Sequence, residues 1–209
     1  MKVLLLNGSP HKAGCTYTAL KEVADTLNSN GVETELVWIG TQPVAGCIAC
    51  GKCGNAGLCV FDDQVNEIHK RLNEFQGIVV GSPVYYGGPS GQVKCFLDRL
   101  FYSSLSEWKG KLGAAVVSCR RGGASMAFQS LNMYFTICNM QVVGSQYWNQ
   151  VHGFTPEDVR KDEEGLQTMR VLGQNMTWQL KNMEAGKETG NNFPAHEERL
   201  WTHFIREQE

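Results

Sequence analysis

Residues 3–6, 77–81 and 112–118 form three short runs with hardly a polar side chain among them: Val-Leu-Leu-Leu, Gly-Ile-Val-Val-Gly and Leu-Gly-Ala-Ala-Val-Val-Ser. A strand with one wet face alternates apolar and polar residues, because successive side chains point to opposite faces. Runs that are apolar throughout are buried on both faces, the condition of a parallel sheet covered by helices. Helical spacing fills the intervals. Residues 16–28 place Ala19, Leu20, Val23 and Leu27 on one face and end at Asn30-Gly31, and Asp62 and Asp63 are natural N-caps for a helix through Val65, Ile68 and Leu72. Residues 93–101 and a segment through Phe128, Leu131 and Phe135 also read as helices, and Pro156 starts a long final helix through Leu166, Val171, Met176 and Leu180. With residues 34–39 and 141–144 as further strands, the pattern predicts a doubly wound α/β sheet of five parallel strands with helices on both faces.

The chain has 209 residues, 42% of them hydrophobic and 19% charged, which suits one domain over residues 1–184 and a C-terminal arm over 185–209. The arm carries Leu200, Trp201, Phe204 and Ile205, a set suited to packing on the domain or on another subunit. A formal charge of −2 argues against a nucleic-acid surface. No stretch approaches the roughly 20 apolar residues of a membrane span, and the first residues lack a secretory core. A soluble, cytoplasmic protein is expected.

In such a sheet, ligands sit at the carboxyl ends of the strands, where three unusual loops are due to converge. The first, Gly8-Ser9-Pro10-His11-Lys12-Ala13-Gly14-Cys15-Thr16, runs straight into a helix. Small hydroxyls, free N–H groups and a helix N-terminus suit a phosphate dianion, although the loop lacks the Gly-Lys-Ser/Thr ending of a Walker motif. Taken alone it is also an ordinary strand-to-helix turn. The second, Ser82 to Pro89, sets Tyr85 and Tyr86 among Pro83, Val84, Gly87 and Gly88. A stiff, close-approaching backbone with aromatic rings suits a flat ligand, or mere surface packing. The third, Ser118-Cys119-Arg120-Arg121-Gly122-Gly123, brings cations to another helix start.

Together Gly8-Ser9-Pro10-His11 with Gly14-Cys15-Thr16, then Gly81-Ser82-Pro83-Val84-Tyr85, then Arg121-Gly122-Gly123 resemble the NADPH-dependent FMN reductase family of the flavodoxin-like superfamily, over roughly residues 1–145. The resemblance implies a flavodoxin-like three-layer sandwich of strand order 2-1-3-4-5. It implies FMN, with Ser9, His11, Gly14, Cys15 and Thr16 at the phosphate, Pro83, Val84, Tyr85, Tyr86 and Gly87 along the isoalloxazine, and Cys119, Arg120, Arg121, Gly122 and Gly123 closing its other edge. Cys15 stands where the family often has Asn, so a thiol replaces a side-chain amide while the backbone N–H remains.

Eight cysteines are present, and four of them, Cys47, Cys50, Cys53 and Cys59, crowd into one glycine-rich loop over residues 46–60. Two-residue spacers between successive cysteines recur in [4Fe–4S] ferredoxins. Four thiolates also suit tetrahedral zinc, though structural zinc usually takes two separated pairs, and free thiols are the third possibility. The loop is similar to the compact cysteine motif of the iron–sulfur flavoproteins within the same superfamily, which implies electron exchange between a cluster and FMN, often in an oligomer.

Cys95, Cys138, Trp38, Trp108, Trp148 and Trp178 are expected in packing roles, and His69, His152, His196 and His203 show no ligand spacing. With no general acid–base pair in evidence, no side chain is named as catalytic: the flavin carries the chemistry. The expected function is an FMN-dependent oxidoreductase or electron-transfer flavoprotein, with NAD(P)H or a ferredoxin-like donor, a small-molecule or protein acceptor, and a homodimeric or homotetrameric state. The alternatives are an NAD(P)H-dependent FMN or quinone reductase without a cluster, a flavodoxin-type carrier, and a zinc-stabilised module.

Overall fold

The computed structural model describes residues 1–200 and 202. Its strands are β1 (Lys2–Asn7), β2 (Glu33–Trp38), β3 (Gly77–Tyr85), β4 (Gly88–Pro89), β5 (Leu112–Cys119), β6 (Gln141–Val142) and β7 (Gln150–His152). Its helices are α1 (Cys15–Ser29), α2 (Lys52–Ala56), α3 (Gln64–His69), α4 (Gly91–Ser103), α5 (Ala124–Ile137), α6 (Pro156–Lys161) and α7 (Glu163–Glu188). The sheet runs β2-β1-β3-β5-β6, every pair along that path parallel. The three apolar runs are its central strands. Leu4, Leu6, Ile78, Val80, Ala115 and Val117 face the layer that contains α3, α4 and α5. Val3, Leu5, Val79, Ala114 and Val116 face α1 and α7. Both faces of each strand are therefore covered, and the three-layer flavodoxin-like sandwich is present.

Three local expectations change. The fifth strand, expected over residues 141–144, comes in two pieces: β6 pairs with Leu112 and Gly113, and β7 pairs with Val117 to Cys119. Between them the chain swings outward, with Ser145 Oγ 2.7 Å from both Tyr147 O and Asn149 Oδ1, and pairing resumes where Val117 donates to Asn149 O. The loop after β3 is a hairpin rather than an irregular turn. Strand β4 folds back antiparallel, and Tyr86 (φ +49°) and Gly87 (φ +80°) form its two-residue turn, the primed geometry that matches strand twist. The long final helix is broken at Asp162, whose carboxylate caps α7 through Gly165 N (3.0 Å) and holds His152 N of β7 (2.6 Å).

Helix α7 continues to Glu188, and Phe193 beyond it lies against Gly110. Trp201, His203, Phe204 and Ile205 lie outside the described residues. Among the described residues no helix is long and apolar enough to cross a membrane.

At the opposite edge from the three loops, Arg71 grips Glu35 of β2 with two bonds of 2.8 and 2.7 Å, and Lys2 adds a third contact at 2.8 Å. Hydrogen bonds from Arg71, then from Lys2, hold the Glu35 carboxyl at about 2 against the opposing cost of burial. A carboxyl depressed by folding contributes stability in full above its unfolded value and loses it as pH falls toward the folded one. Urea midpoints measured from pH 7 to pH 2 should therefore fall more steeply in the wild type than in Glu35→Gln between roughly pH 5 and 2. Parallel curves would show that the cluster contributes nothing to acid stability.

Candidate functional site

The loop after β1 is locked to the sheet by its backbone. Gly8 N donates to Gly81 O at 2.9 Å, and Ser90 Oγ donates to Gly8 O at 2.8 Å. Within the loop the buried Asn7 side chain accepts from Ser9 N (3.1 Å) and donates to Lys12 O (3.1 Å), while Ser9 Oγ accepts from His11 N (3.1 Å). Trp38 Nε1 donates to Ser9 O at 2.8 Å, and the Lys12 ammonium lies 5.7 Å from the Trp38 ring centre. Trp38 is thus a wall of this loop rather than core filling.

Helix α1 opens on Gly14 without a side-chain cap, and α5 opens the same way on Gly123. By contrast Asp63, Ser90, Thr155 and Asp162 cap α3, α4, α6 and α7. The first N–H groups of a helix have no partner within it, so α1 presents bare donors and positive dipole to whatever occupies the loop. Burial pushes the Cys15 thiol up. Staying protonated, it brings no negative charge against an anion, and its Sγ rests 3.8 Å from Gly153 O. The Thr16 hydroxyl is turned inward, 2.8 Å from Ser118 Oγ, where it ties α1 to β5. Only its backbone N–H faces the helix start. His11 and Lys12 are exposed beside it.

The hairpin and the loop after β5 touch directly. Gly123 sits at φ +88°, and a Cβ there would lie 2.9 Å from Gly87 Cα and from Val84 Cγ1. Pro83 and Val84 are half-buried, and Tyr85, Tyr86, Arg120, Arg121 and Gly122 are exposed. Burial pushes the Cys119 thiol up as well. The result is an open ledge with an aromatic hairpin on one side and two arginines on the other.

The cysteine loop leaves the same edge, after β2. Ala49 (φ +52°), Gly51 (φ +69°) and Gly57 (φ +72°) bend it through left-handed turns, so that Cys47, Cys50, Cys53 and Cys59 line one cleft with Arg99, Tyr102 and Ser103. All eight cysteines are free. Cys59 is the anchored one. Asn66 Oδ1 accepts its N–H and Asn66 Nδ2 donates to its carbonyl, both at 2.9 Å. Arg99 Nε donates to its Sγ at 3.2 Å. Among the described residues no three ligating side chains converge closely enough to hold a single ion.

Compared with known proteins, residues 1–155 match the model of the NADPH-dependent FMN reductase family. The chain belongs to that family. It is 34% identical over 189 residues to an iron–sulfur flavoprotein of Methanocaldococcus jannaschii, covering 87% of this chain and 98% of the relative. It is 34% identical to an iron–sulfur flavoprotein of Methanosarcina thermophila, over 81% of this chain and 90% of that one. An archaeal flavodoxin superposes with a TM-score of 0.60 at 18% identity, covering 87% of this chain and 99% of its own. The NAD(P)H:quinone oxidoreductase of Methanothermobacter marburgensis gives 0.62 at 15% identity, covering 84% and 96%; both likenesses concern the fold. The flavin-dependent oxidoreductase expected from the loops is thus the family's, with FMN as its cofactor.

The ledge fits FMN on its own terms: bare N–H donors at α1, neutral thiols beside them and a flat hairpin floor. The thiol cleft fits a [4Fe–4S] cluster by its donor set, four cysteines lining one cleft, although their sulfurs do not converge on one centre. The roles of Asn7, Trp38, Ser118, Asn66 and Arg99 escape a reading of the sequence. Of these only Arg99 leaves a signal there, as a cation three residues after Phe96 and therefore on the apolar face of its helix.

If backbone N–H groups hold the phosphate, Cys15→Pro is the discriminating variant. Proline is tolerated at the first helical position and removes one donor. A lost charge-assisted bond is about 1.5–3 kcal/mol, so FMN titration should show affinity at least about tenfold weaker than in Cys15→Ala. Thr16→Val, which strands Ser118 Oγ, should lower unfolding stability by about 1–3 kcal/mol and change FMN affinity by less than about tenfold. The reverse ranking would put the phosphate on the Thr16 hydroxyl.

Proposed function

We propose that this protein binds FMN on the ledge formed by its three loops and passes electrons between that flavin and a [4Fe–4S] cluster held by Cys47, Cys50, Cys53 and Cys59. The observation that carries the proposal is the departure of both features from one sheet edge: the uncapped start of α1 and the four-thiol cleft after β2. FMN supplies the coupling of two-electron hydride chemistry to single-electron transfer. The chain binds, orients and shields.

The N–H groups of the first turn of α1, with Ser9, His11, Gly14, Cys15 and Thr16 around them, receive the phosphate. Pro83, Val84, Tyr85, Tyr86 and Gly87 lie along one side of the ring, and Gly123, pressed onto Gly87, fixes the distance to the loop of Cys119, Arg120, Arg121 and Gly122. The two exposed arginines supply positive charge beside a ring that becomes electron-rich on reduction. NAD(P)H would need no separate Gly-x-Gly-x-x-Gly fold on so open a ledge, and the family's description supports a nicotinamide donor. The relatives' names support the cluster. Exposed Tyr147, Trp148 and Phe154 suit a homodimer or homotetramer, and eight unpaired thiols suit the cytoplasm. The acceptor is a small molecule or a redox protein.

A second reading, a cluster-free NAD(P)H-dependent FMN or quinone reductase, is favoured by one observation: the four sulfurs do not converge.

An anaerobic visible spectrum of the purified protein, with iron and acid-labile sulfide on the same sample, separates the two. The expected result is two flavin bands over a broad shoulder near ~400 nm with about four irons per chain, lost in Cys50→Ser while the flavin stays. Flavin without iron moves the assignment to the cluster-free reductase. No flavin after addition of FMN would sink both.

A further inference from the structure

Arg99 projects from α4 with its side chain fully buried. Its guanidinium serves one segment of the chain. Nη1 and Nη2 meet the Asp63 carboxylate at 2.6 and 2.8 Å, Nη2 donates to Phe61 O at 3.0 Å, and Nη1 reaches Ala45 O at 3.4 Å. The guanidinium carbon lies 5.0 Å from the Phe61 ring centre. Ala45 stands two residues before the first cysteine of the loop, and Phe61 two residues after the last. A single side chain on a core helix therefore pins both ends of the cysteine loop.

One donor is left, and it aims at sulfur: Nε lies 3.2 Å from Cys59 Sγ. Among the described residues no hydrogen bond reaches the sulfurs of Cys47, Cys50 or Cys53. A buried guanidinium is tolerated only when its donors are met. Asp63 meets two of them while also capping α3 through Val65 N. The geometry is that of a fixed cation serving one sulfur of four.

We propose that Arg99 is the positioning residue of this cleft: it closes the cysteine loop, holds Cys59 as the anchored ligand, and donates an N–H to the ligating sulfur so that the cluster is reduced at a higher potential. The electronic part rests on the [4Fe–4S] reading above; the anchoring of Cys59 does not. With a cluster held there, its reduction would take one electron from the reduced flavin, break no bond at Cys59 and leave the protons of Arg99 in place. The direction follows from charge. The reduced cluster is the more negative state, and a nearby cation with a hydrogen bond to sulfur favours it.

The test compares the holoprotein with Arg99→Lys, which keeps the charge but loses the fork and the Nε donor, and with Arg99→Gln, which removes the charge. FMN binding and far-UV circular dichroism first establish that each variant is folded. In a redox titration followed by visible and paramagnetic resonance spectra, Arg99→Lys is expected to keep its iron and to be harder to reduce. At the wild-type midpoint its reduced-to-oxidised ratio should drop by about tenfold, 59 mV for a one-electron couple. Full iron with an unchanged midpoint overturns the electronic role.

Anchoring is read separately, on iron-free protein, by timed iodoacetamide alkylation mapped by mass spectrometry. In the wild type Cys59 should react more slowly than Cys50; in Arg99→Gln the Cys59 rate should rise to match it. An unchanged Cys59 rate overturns the positioning role. If the wild type never carries iron, the cluster reading and the electronic role fall together, and the alkylation result still decides whether Arg99 anchors Cys59.

Discussion

Everything chemical in this protein follows from a sheet that needs apolar cover on both faces. Strands β1, β3 and β5 bury every side chain from Val3 to Leu6, Ile78 to Val80 and Leu112 to Val117 except where glycine provides none, and a layer of helices lies on each side. With both faces occupied, polar groups have only the ends of the strands. The amino end is taken up by ion pairs, Lys2, Glu35, Arg71 and Glu74. The carboxyl end is where the chain leaves each parallel strand for its helix, and there the loops carry glycines, hydroxyls and thiols. A parallel sheet thereby gathers residues separated by more than a hundred positions, such as Thr16 and Ser118, into hydrogen-bond contact.

How far the sequence discloses this depends on the range of the interaction involved. The central strands are legible because burial on two faces writes an unbroken apolar run, and the α1 loop because glycine and a helix start are local signals. The fifth strand is read only in its first half, because the second, β7, owes its existence to pairing with Val117 to Cys119 rather than to its own Gln-Val-His. The final helix reads as continuous because one carboxylate, Asp162, serves both His152 and Gly165, and a shared partner leaves no periodicity. Thr16 illustrates the same limit at the site. Its residue type suggests a phosphate donor, yet its hydroxyl is committed across the sheet.

The two halves of the site are built to different standards of rigidity. The ledge is made of backbone: Gly8 against Gly81, Gly123 against Gly87, Asn7 bracing both ends of a tight loop. Backbone donors cannot rotate away, so an anion at the start of α1 would meet groups already aligned for it, with little ordering cost left at binding. The thiol cleft is the opposite case. Cys47 and Cys50 are exposed on a loop of left-handed turns, and among the described residues only Cys59 of the four is held by side chains, those of Asn66 and Arg99.

That contrast explains why a chain would keep a buried arginine where an apolar residue would pack as well. An ion pair such as Arg99 with Asp63, its guanidinium buried and its carboxylate partly exposed, contributes little net stability, because the cost of taking the guanidinium out of water offsets much of the attraction. Its advantage lies in direction. Leucine at this position would fill space but hold neither Ala45 O nor Phe61 O, and the cysteine loop would lose both tethers at once. A planar guanidinium fixes several acceptors in one plane, so the geometry of the loop is set by α4, an element that itself packs on the sheet. Cys59 is therefore the cysteine of the loop that is referenced, through Arg99, to the sheet edge where the three loops meet. In metal sites generally, outer residues orient the ligating side chains. In this chain Arg99 is carried by the helix layer that also contains α5, whose start sets Gly123 against Gly87, so one rigid layer positions both the thiol cleft and the hairpin.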